Sequence, residues 1–336
     1  MDHLIKVFIV ISISFFINYF FSKYNILIDD VKKSIHKEQM NSIKKIPLSG
    51  GIIFLTSFYL MNFNLQIINF FLLLILAIGI FSDTNIIISP LKRLILQIII
   101  VVSFILITGT NVKITNLEYL DILLENYIFS IFFTSFCFLV LINGSNFIDG
   151  INSLVLGYYI LVVIILIYLS NITDLNLDYK LSTDLIIIFS AMFLFNLFEK
   201  NFLGDAGSYC ISFLIGYLCI NFSIQNLHVS PFFVVLILWY PAWENLFSIL
   251  RRMKKKIITT EPDKMHLHHI IFLFLEKRFK LKKIYLNSLT GLLINIFNLL
   301  IFFIGSKFYN QTNVLVMLTL FAVLTYIVVY KFLSYK

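Results

Sequence analysis

Long apolar runs alternate with short polar segments along the whole chain. Eleven runs approach the roughly 20 mostly apolar residues that a membrane-spanning helix needs, the second and seventh being the weakest as helices. The runs are 4–22, 46–63, 65–81, 92–109, 126–142, 151–170, 184–198, 207–225, 229–249, 286–305 and 313–333. This pattern predicts an all-α polytopic membrane protein. The first run is interpreted as a span rather than a signal peptide, because no small-residue cleavage site follows it.

Composition leads to the same class of protein. Of the 336 residues, 60% are hydrophobic and 13% are charged, compared with about 25% charged residues in soluble domains. Such a chain cannot present enough polar surface to water, so we expect residues 1–336 to form one membrane-embedded domain. The three cysteines all lie in apolar runs, a pattern that argues against a disulfide framework or a cysteine metal site.

Basic residues predict the orientation of the chain. The net charge is +8, and the excess is concentrated in the loops 23–45 and 250–285, which both follow odd-numbered runs. The positive-inside rule places these loops in the cytoplasm, with the N-terminus outside and the C-terminus inside. The charge is therefore interpreted as membrane topology rather than as a nucleic-acid surface. The expected cytoplasmic loops are 23–45, 82–91, 143–150, 199–206 and 250–285.

All candidate catalytic groups fall at the cytoplasmic ends of these runs. Asp83 follows the third run, with Lys92 and Arg93 a short loop away; the plain alternative is a helix cap and two topology anchors. Asp205 lies between glycines at the start of the eighth run, where it would be either an N-cap or an oxygen ligand for Mg²⁺. A helix start also favours phosphate.

The segment after the fifth run carries polar residues at a regular spacing. Asn143, Asn146, Asp149 and Asn152 are three residues apart, which on a helix places them on roughly one face. A helix-loop-helix junction is the plain alternative, since Asn, Gly and Asp favour turns. Four regularly spaced polar groups exceed what a turn needs, and polar groups at membrane depth are costly, so we favour a functional role.

Three of the six histidines, His266, His268 and His269, fall within four positions of the last large loop. They do not share one helical face, so an extended or irregular backbone would bring them together better. The alternatives are a zinc site, a solvated loop without a task, or contacts to a phosphate or nucleotide. Arg251 and Arg252 would support the last of these.

In their order along the chain, these segments resemble the polyprenyl-phosphate N-acetylhexosamine-1-phosphate transferases, of the glycosyltransferase family 4 type. The resemblance extends over about residues 34–270. The His-Leu-His-His pattern is similar to the branch that starts O-antigen, teichoic-acid or related glycans, rather than to the phospho-MurNAc-pentapeptide branch. The matching residues are Ile46-Pro47-Leu48-Ser49-Gly50-Gly51, Asp83, Ser89-Pro90, Gln97, the 143–152 segment, Phe202-Leu203-Gly204-Asp205-Ala206-Gly207-Ser208, Glu244, Arg251-Arg252 and His266-Leu267-His268-His269.

The resemblance implies a reaction and a set of roles. An N-acetylhexosamine-1-phosphate would pass from a UDP-sugar to undecaprenyl phosphate at the bacterial inner membrane, releasing UMP, with a homodimer as a further option. Asp205 would bind Mg²⁺ (or Mn²⁺), Asp83 would orient the lipid phosphate or accept its residual proton, and Asp149 would assist the metal or the nucleophile. The diphosphate or sugar would contact His266, His268 and His269. The remaining substrate-binding residues implied are Lys44, Lys45, Asn143, Asn146, Asn152, Asn196, Arg251 and Arg252.

Two departures from the family pattern leave alternatives open. The family usually has tandem aspartates where this chain has Ser82-Asp83, and Asp-Gly-x-Asp-Gly where it has Asp149-Gly150-Ile151-Asn152-Ser153. We interpret the chain as a divergent subfamily. A catalytically weakened relative is one alternative. Another is a transporter or flippase for an anionic lipid-linked substrate, whose ionisable residues would relay protons.

Overall fold

The computed structural model describes residues 3–29, 46–255 and 265–334. Within these ranges, strands β1 (Ile28–Asp29) and β2 (Ile46–Pro47) pair antiparallel, with Ile28 opposite Pro47. The helices of the described ranges are α1 (His3–Tyr24), α2 (Gly50–Met61), α3 (Gln66–Asp83), α4 (Pro90–Thr108), α5 (Glu118–Leu124), α6 (Tyr127–Ile148), α7 (Leu154–Thr173), α8 (Tyr179–Leu197), α9 (Gly204–Gln225), α10 (Pro231–Ile237), α11 (Trp239–Lys255), α12 (Leu267–Arg278), α13 (Lys283–Ser306) and α14 (Thr312–Ser334).

Each of the eleven predicted runs overlaps a helix, and the all-α polytopic fold is confirmed. Nine of the described helices are long and apolar enough to cross a membrane, and α10 with α11 would form a tenth span with a bend of 71°. Helix α2 has only 12 residues, about 18 Å at 1.5 Å per residue, against a hydrocarbon core of about 30 Å. The eleven-span count and the sides of the termini stay predictions.

The bend between α10 and α11 has a local cause in Pro241. Proline has no N–H, and in a continuous helix its ring clashes with the carbonyl four residues earlier, which here belongs to Ile237. That carbonyl instead accepts a hydrogen bond from the Tyr158 hydroxyl at 2.8 Å. The run 229–249, predicted as one span, is therefore divided at Leu238.

Helix α9 is the most buried of the described helices that are long enough to span a membrane, and glycines fix its start. A Cβ on Gly79 of α3 would lie 2.2 Å from the Ala206 Cα, and a Cβ on Gly51 of α2 would lie 2.8 Å from the Gly207 nitrogen. Only glycine allows backbones to approach so closely. The first turn of α9, which carries Asp205, is therefore held against α2 and α3.

The segment before α2 is bonded to the loop before α9. The Phe202 N–H donates to the Pro47 carbonyl, and the Gly50 N–H donates to the Phe202 carbonyl, both at 3.0 Å. These bonds pair β2 and the Ser49-Gly50 turn with the backbone that leads into Gly204. Two motif segments that are more than 150 residues apart in the chain are thus side by side.

Helix α1 turns a polar stripe toward the rest of the fold. Its buried residues are Lys6, Val10, Ser14 and Asn18, each four positions after the last. Lys6 forms an ion pair with Asp184 of α8, and both side chains are almost completely buried. Charged groups at membrane depth are costly unless they are paired, so this pair specifies where α1 packs.

Candidate active site

Asp205, in the first turn of α9, receives hydrogen bonds from three other helices. Its Oδ1 accepts from the Asn146 Nδ2 at 2.6 Å, at the end of α6. Its Oδ2 accepts from an Arg93 guanidinium nitrogen of α4 at 2.9 Å and from the Ser82 hydroxyl of α3. The Asp205 and Arg93 side chains are each 24% exposed. We call Ser82, Asp83, Arg93, Asn146 and Asp205 the Asp205 cluster.

Asp83 is the residue that caps α9. Its two carboxylate oxygens accept hydrogen bonds from the backbone N–H groups of Asp205 at 2.9 Å and Ala206 at 3.2 Å. These amides belong to the helix start that otherwise leaves its donors unsatisfied. The N-cap alternative for Asp205 is therefore wrong: the Asp205 side chain points to Asn146, Ser82 and Arg93, and Asp83 satisfies the helix end.

The backbone at Gly204 makes this capping contact possible. Gly204 has a φ of +67°, and a Cβ there would lie 2.7 Å from the Asp83 Oδ2. A residue with a side chain would be strained by the left-handed φ and would press on the carboxylate. The Gly204-Asp205 pair thus brings the carboxylate of α3 onto the amides of α9.

The polar segment after the fifth run is helical through Ile148, so Asn143 and Asn146 do lie on one helical face. Asn143 Nδ2 donates to the Gln97 side chain of α4 at 3.0 Å, one turn before the Asn146–Asp205 bond. The two amides therefore connect α6 to α4 and α9 at successive turns. A nucleotide contact for either amide stays a prediction.

Asn152 lies in the loop between α6 and α7, and Asn196 lies at the end of α8. They are 4% and 5% exposed. The Asn152 N–H donates to the Asn287 side chain at 2.7 Å, and the Asn196 side chain accepts from the Ser153 N–H at 2.8 Å. These bonds fasten the loop to α8 and α13. A direct substrate contact for either residue stays a prediction.

The three histidines converge through a change of backbone direction. His266 is extended and immediately precedes α12, whereas His268 and His269 lie in its first turn. The His268 ring centroid lies 5.5 Å from that of His266 and 4.2 Å from that of His269. The expected departure from a single helical face is confirmed. We call these three residues the histidine cluster.

The histidine cluster packs against the Asp149-Gly150 turn. A Cβ on Gly150 would lie 2.5 Å from the His269 Nε2 and 2.7 Å from the His268 Nε2. His268 is completely buried, and neither of its ring nitrogens has a partner among the described residues. Burial lowers the pKa of His268 well below its usual range, and His269 and His266 lower it further. Its ring is therefore uncharged at neutral pH.

Arg251 and Arg252 differ in where they point. Arg251 donates to the Met265 carbonyl, to Tyr330 of α14 at 2.9 Å and to Ser248 at 3.1 Å. Arg252 lies over the ring of Phe147, 5.9 Å from its centroid, and Phe147 follows Asn146 in α6. Lys44 and Lys45 lie outside the described residues.

Two members of the Asp205 cluster were missing from the predicted site. Arg93 has a topology anchor as its plain alternative, and Ser82 is a departure from the usual aspartate. In the structure, Arg93 donates to the Ser82 hydroxyl at 2.5 Å as well as to Asp205. The available signal was a cation one short loop after Asp83, although its spacing alone does not specify a partner.

The hydrogen bonds at Asp205 leave its carboxylate able to serve as one ligand to Mg²⁺. A carboxylate has about four lone-pair positions, and Asn146, Arg93 and Ser82 use three of them, which leaves a position on Oδ1. Mg²⁺ usually takes one or two carboxylates together with waters and substrate phosphates. Among the described residues, no group of three His, Cys, Asp or Glu side chains could hold an ion by itself. The zinc alternative therefore finds no support within these ranges.

Comparison with known proteins agrees with the motifs. Residues 65–223 match the family model described as "Glycosyl transferase family 4". The chain is 32% identical over 153 residues to the "Probable undecaprenyl-phosphate N-acetylglucosaminyl 1-phosphate transferase" of Bacillus subtilis, covering 43% of this chain and 41% of that protein. It is 29% identical over 144 residues to the "Undecaprenyl-phosphate alpha-N-acetylglucosaminyl 1-phosphate transferase" of Yersinia pestis, covering 41% and 40%.

A third relative has the same description. The Escherichia coli K12 protein is 26% identical over 149 residues, covering 43% of this chain and 41% of its own length. The chain thus spans about two fifths of the length of these curated relatives. The predicted resemblance to the glycosyltransferase family 4 type, and within it to the N-acetylglucosamine-1-phosphate transferase branch, is confirmed.

Proposed function

We propose that this protein transfers an N-acetylhexosamine-1-phosphate from a UDP-sugar to undecaprenyl phosphate and releases UMP, starting a lipid-linked surface glycan. The observation that supports this most is the Asp205 cluster. Asp83, Asn146, Asp205 and Arg93 come from four helices, and all lie within residues 65–223, which match the family model. The acceptor and the sugar are those named in the descriptions of the relatives.

The reaction exchanges one phosphoanhydride for another. An oxygen of the lipid phosphate attacks the β-phosphorus of the UDP-sugar, the bond from that phosphorus to the bridging oxygen breaks, and UMP leaves with the oxygen. Two anions must approach each other, so the site has to neutralise charge before attack. A phosphate monoester is mostly dianionic at neutral pH, since its second pKa is near 6, and a strong base is not required.

The Asp205 cluster would meet this demand through positioned charges. Asp205 would offer the open Oδ1 position to Mg²⁺ or Mn²⁺ on the diphosphate. The bound metal would act as a Lewis acid that takes up phosphate charge. Arg93 would present a second cation to the phosphates, and the start of α9 would favour an anion nearby. Asp83 would hold this helix start in place and orient the lipid phosphate.

The remaining residues would recognise the substrates. Asn143 and Asn146 would hydrogen-bond the nucleotide, and Arg252 and the histidine cluster would contact the diphosphate or sugar. His268, being uncharged, would do so as a neutral donor. Asp149 would assist the metal or the nucleophile from the turn that faces the histidines. These contacts require the loops 82–91, 143–150, 199–206 and 250–285 to face the cytoplasm of a bacterial inner membrane.

The two departures from the family pattern raise the alternative that this protein is a catalytically weakened relative. Ser82 is not a bystander, because its hydroxyl donates to Asp205 and accepts from Arg93. A network in which the substituted residue has two partners is more consistent with a divergent active enzyme than with decay. We therefore keep the transferase as the proposed function.

The test is UMP release by the protein purified in detergent, with undecaprenyl phosphate, Mg²⁺ and a panel of UDP-N-acetylhexosamines. We expect release that requires both substrates and stops in Asp205→Asn. Asp174→Asn is the matched control, because Asp174 is exposed and its φ of +50° suits asparagine. No UMP release with any member of the panel would overturn the proposal.

A further inference from the structure

Glu244 of α11 is a buried carboxylate for which the sequence motifs supply no role. It is completely buried. Its Oε1 lies 2.8 Å from the His266 Nδ1, and its Oε2 accepts a hydrogen bond from the Tyr326 hydroxyl of α14 at 2.8 Å. A buried charge is costly unless it is paired and hydrogen-bonded, and here each oxygen has a partner.

This arrangement bears on which ring nitrogen of His266 carries a hydrogen. An ionised carboxylate can only accept hydrogen bonds, so the Nδ1 that faces Glu244 must carry a hydrogen. A neutral ring then has a bare Nε2, which becomes the nitrogen that can accept from a substrate or bind its proton. A carboxylate behind an imidazole orients it in the same way in nucleophile–base–acid sites.

The His266 ring also packs against Phe147 of α6, the helix that carries Asn146. Its centroid lies 5.4 Å from that of Phe147, and Phe147 directly follows Asn146, which bonds to Asp205. Arg252 covers the same Phe147 ring. The His266 ring therefore lies between Phe147 and His268, with Glu244 at its Nδ1.

Helix α14 contacts both Glu244 and Arg251. Tyr326 and Tyr330 are one turn apart on α14 with nearly parallel rings. Tyr326 bonds to Glu244, and Tyr330 accepts from Arg251 at 2.9 Å. Arg251 in turn donates to the carbonyl of Met265, the residue before His266. Both the carboxylate and the backbone beside the histidine are thus tied to a helix outside the 65–223 match.

We propose that Glu244 is a positioning residue: supported by Tyr326, it fixes the tautomer and orientation of His266 so that Nε2 meets the substrate. The effect of Glu244 on UMP release rests on the proposed transferase function. The effect of Glu244 on the His266 tautomer does not. A plainer role is that Glu244 only holds α11, α12 and α14 together. The two roles differ in what they predict for variants of equal stability.

The first measurement is independent of activity. Nitrogen-15 NMR of histidine-labelled protein in detergent reports the tautomer of each ring, and a His266→Gln variant assigns its signal. We expect His266 to be protonated on Nδ1 in the wild type. In Glu244→Gln, the amide can turn its NH₂ toward the ring, so we expect loss of that single tautomer. Tyr326→Phe, which removes only one hydroxyl, should broaden or shift the same signal.

The second measurement separates positioning from stability. Tyr158→Phe is the matched control, since it also removes one buried tyrosine hydroxyl, whose partners are the Ile237 carbonyl and the Tyr240 N–H rather than Glu244. We expect kcat for UMP release to fall about 10- to 100-fold in Glu244→Gln, by analogy with the loss of carboxylates that orient metal-bound histidines. KM for the UDP-sugar should change little, and Tyr158→Phe should lose stability only.

The outcomes are distinguishable. The inference is overturned if the His266 tautomer is the same in the wild type and Glu244→Gln. It is also overturned if Glu244→Gln and Tyr326→Phe lose activity only in proportion to their melting temperatures, as Tyr158→Phe would. If the wild type turns over no UDP-sugar, the proposed function fails, and the NMR comparison still decides whether Glu244 sets the ring.

Discussion

The Asp205 cluster and the histidine cluster face the same proposed substrate but satisfy their polar groups in different ways. In the Asp205 cluster, both oxygens of Asp205 and both oxygens of Asp83 accept hydrogen bonds, and the Asp205 and Arg93 side chains remain partly exposed. In the histidine cluster, His268 is completely buried and its ring nitrogens have no protein partner within the described ranges.

This difference indicates where binding energy can be gained. A buried polar atom without a partner costs about 1–3 kcal/mol. A new hydrogen bond from a ligand or an ordered water should therefore contribute more binding free energy at His268 than at Asp205. A ligand at Asp205 must instead share a carboxylate that already serves Arg93. We therefore expect ligand affinity at the Asp205 cluster to depend chiefly on the charge of the ligand. At the histidine cluster, it should depend chiefly on the hydrogen-bonding groups of the ligand.

The largest effect should follow from removing the charge of Asp205. Asp205→Asn keeps the shape and an oxygen that Asn146 can still reach, but it loses the anion that faces Arg93 and the metal. We expect UMP release to fall at least about 100-fold, as when a positioned charge-stabilising group is removed elsewhere. Mn²⁺ binding, followed by electron paramagnetic resonance, should weaken in the same variant. Retained Mn²⁺ binding with normal activity would assign the metal to another residue.

Two glycine substitutions disturb the clusters one at a time. Gly150→Ala places a methyl group within 3 Å of the His268 and His269 rings, and should lower activity without changing the Mg²⁺ concentration required. Gly204→Ala presses on Asp83 and should raise that concentration. The backbone strain at Gly204 costs about 1–3 kcal/mol, so its stability must be measured alongside.

Gly109→Ala is the control for that strain. Gly109 has the same φ of +67° as Gly204, but nothing lies within 4 Å of its Cβ position. If Gly204→Ala and Gly109→Ala lower the melting temperature equally and neither changes the Mg²⁺ requirement, the contact between Gly204 and Asp83 has no role in metal binding.

A smaller effect should come from restoring the usual family aspartate. Ser82→Asp would place a second carboxylate beside Asp205, where Arg93 can pair with it. Mg²⁺ sites gain affinity with ligand charge, so we expect half-maximal UMP release at a several-fold lower Mg²⁺ concentration. Ser82→Ala, which only removes the hydroxyl, should not show this gain. An unchanged Mg²⁺ requirement in Ser82→Asp would mean that position 82 is remote from the metal.

The sequence predicted which polar segments meet, but not how their atoms pair. Apolar run lengths and the order of motifs predict that Asp83, Asn146 and Asp205 lie at one end of the helices, because helix ends on one side of a membrane share a plane. The Arg93–Asp205 and Tyr326–Glu244 bonds depend on helix rotation and depth. These are decided by side-chain packing between segments that are distant in the chain, such as Gly79 against Ala206.

Two local features of the backbone also could not be predicted from the pattern of apolar residues. The break at Leu238 comes from Pro241, which hydropathy alone does not register. The convergence of the histidines depends on His266 being extended while His268 is helical, a boundary that periodicity places only within a few residues. The motif was recognisable, whereas the tautomer-setting contact from Glu244 needed the fold.

The smallest expected effect is a pH dependence of stability that belongs to the histidine cluster alone. In the unfolded chain, His268 should bind a proton near its ordinary pKa of about 6.5, whereas in the fold burial and the neighbouring His266 and His269 lower its pKa well below that value. Between the two pKa values the unfolded state binds more protons, so the free energy of unfolding decreases as pH falls below about 6.5. The contribution is at most about 1.4 kcal/mol per pH unit from this one group.

Melting temperatures in detergent between pH 7.5 and 5 would measure this pH dependence of stability. His268→Gln keeps a polar side chain but cannot take up the proton, so its melting temperature should fall less over this range than that of the wild type. Above pH 7 the two should keep a constant difference. The Asp205→Asn variant should follow the wild-type slope, since His268 is unchanged in it. If His268→Gln lost stability toward pH 5 as steeply as the wild type, the acid sensitivity would belong to other groups, and His268 would not be a buried neutral ring.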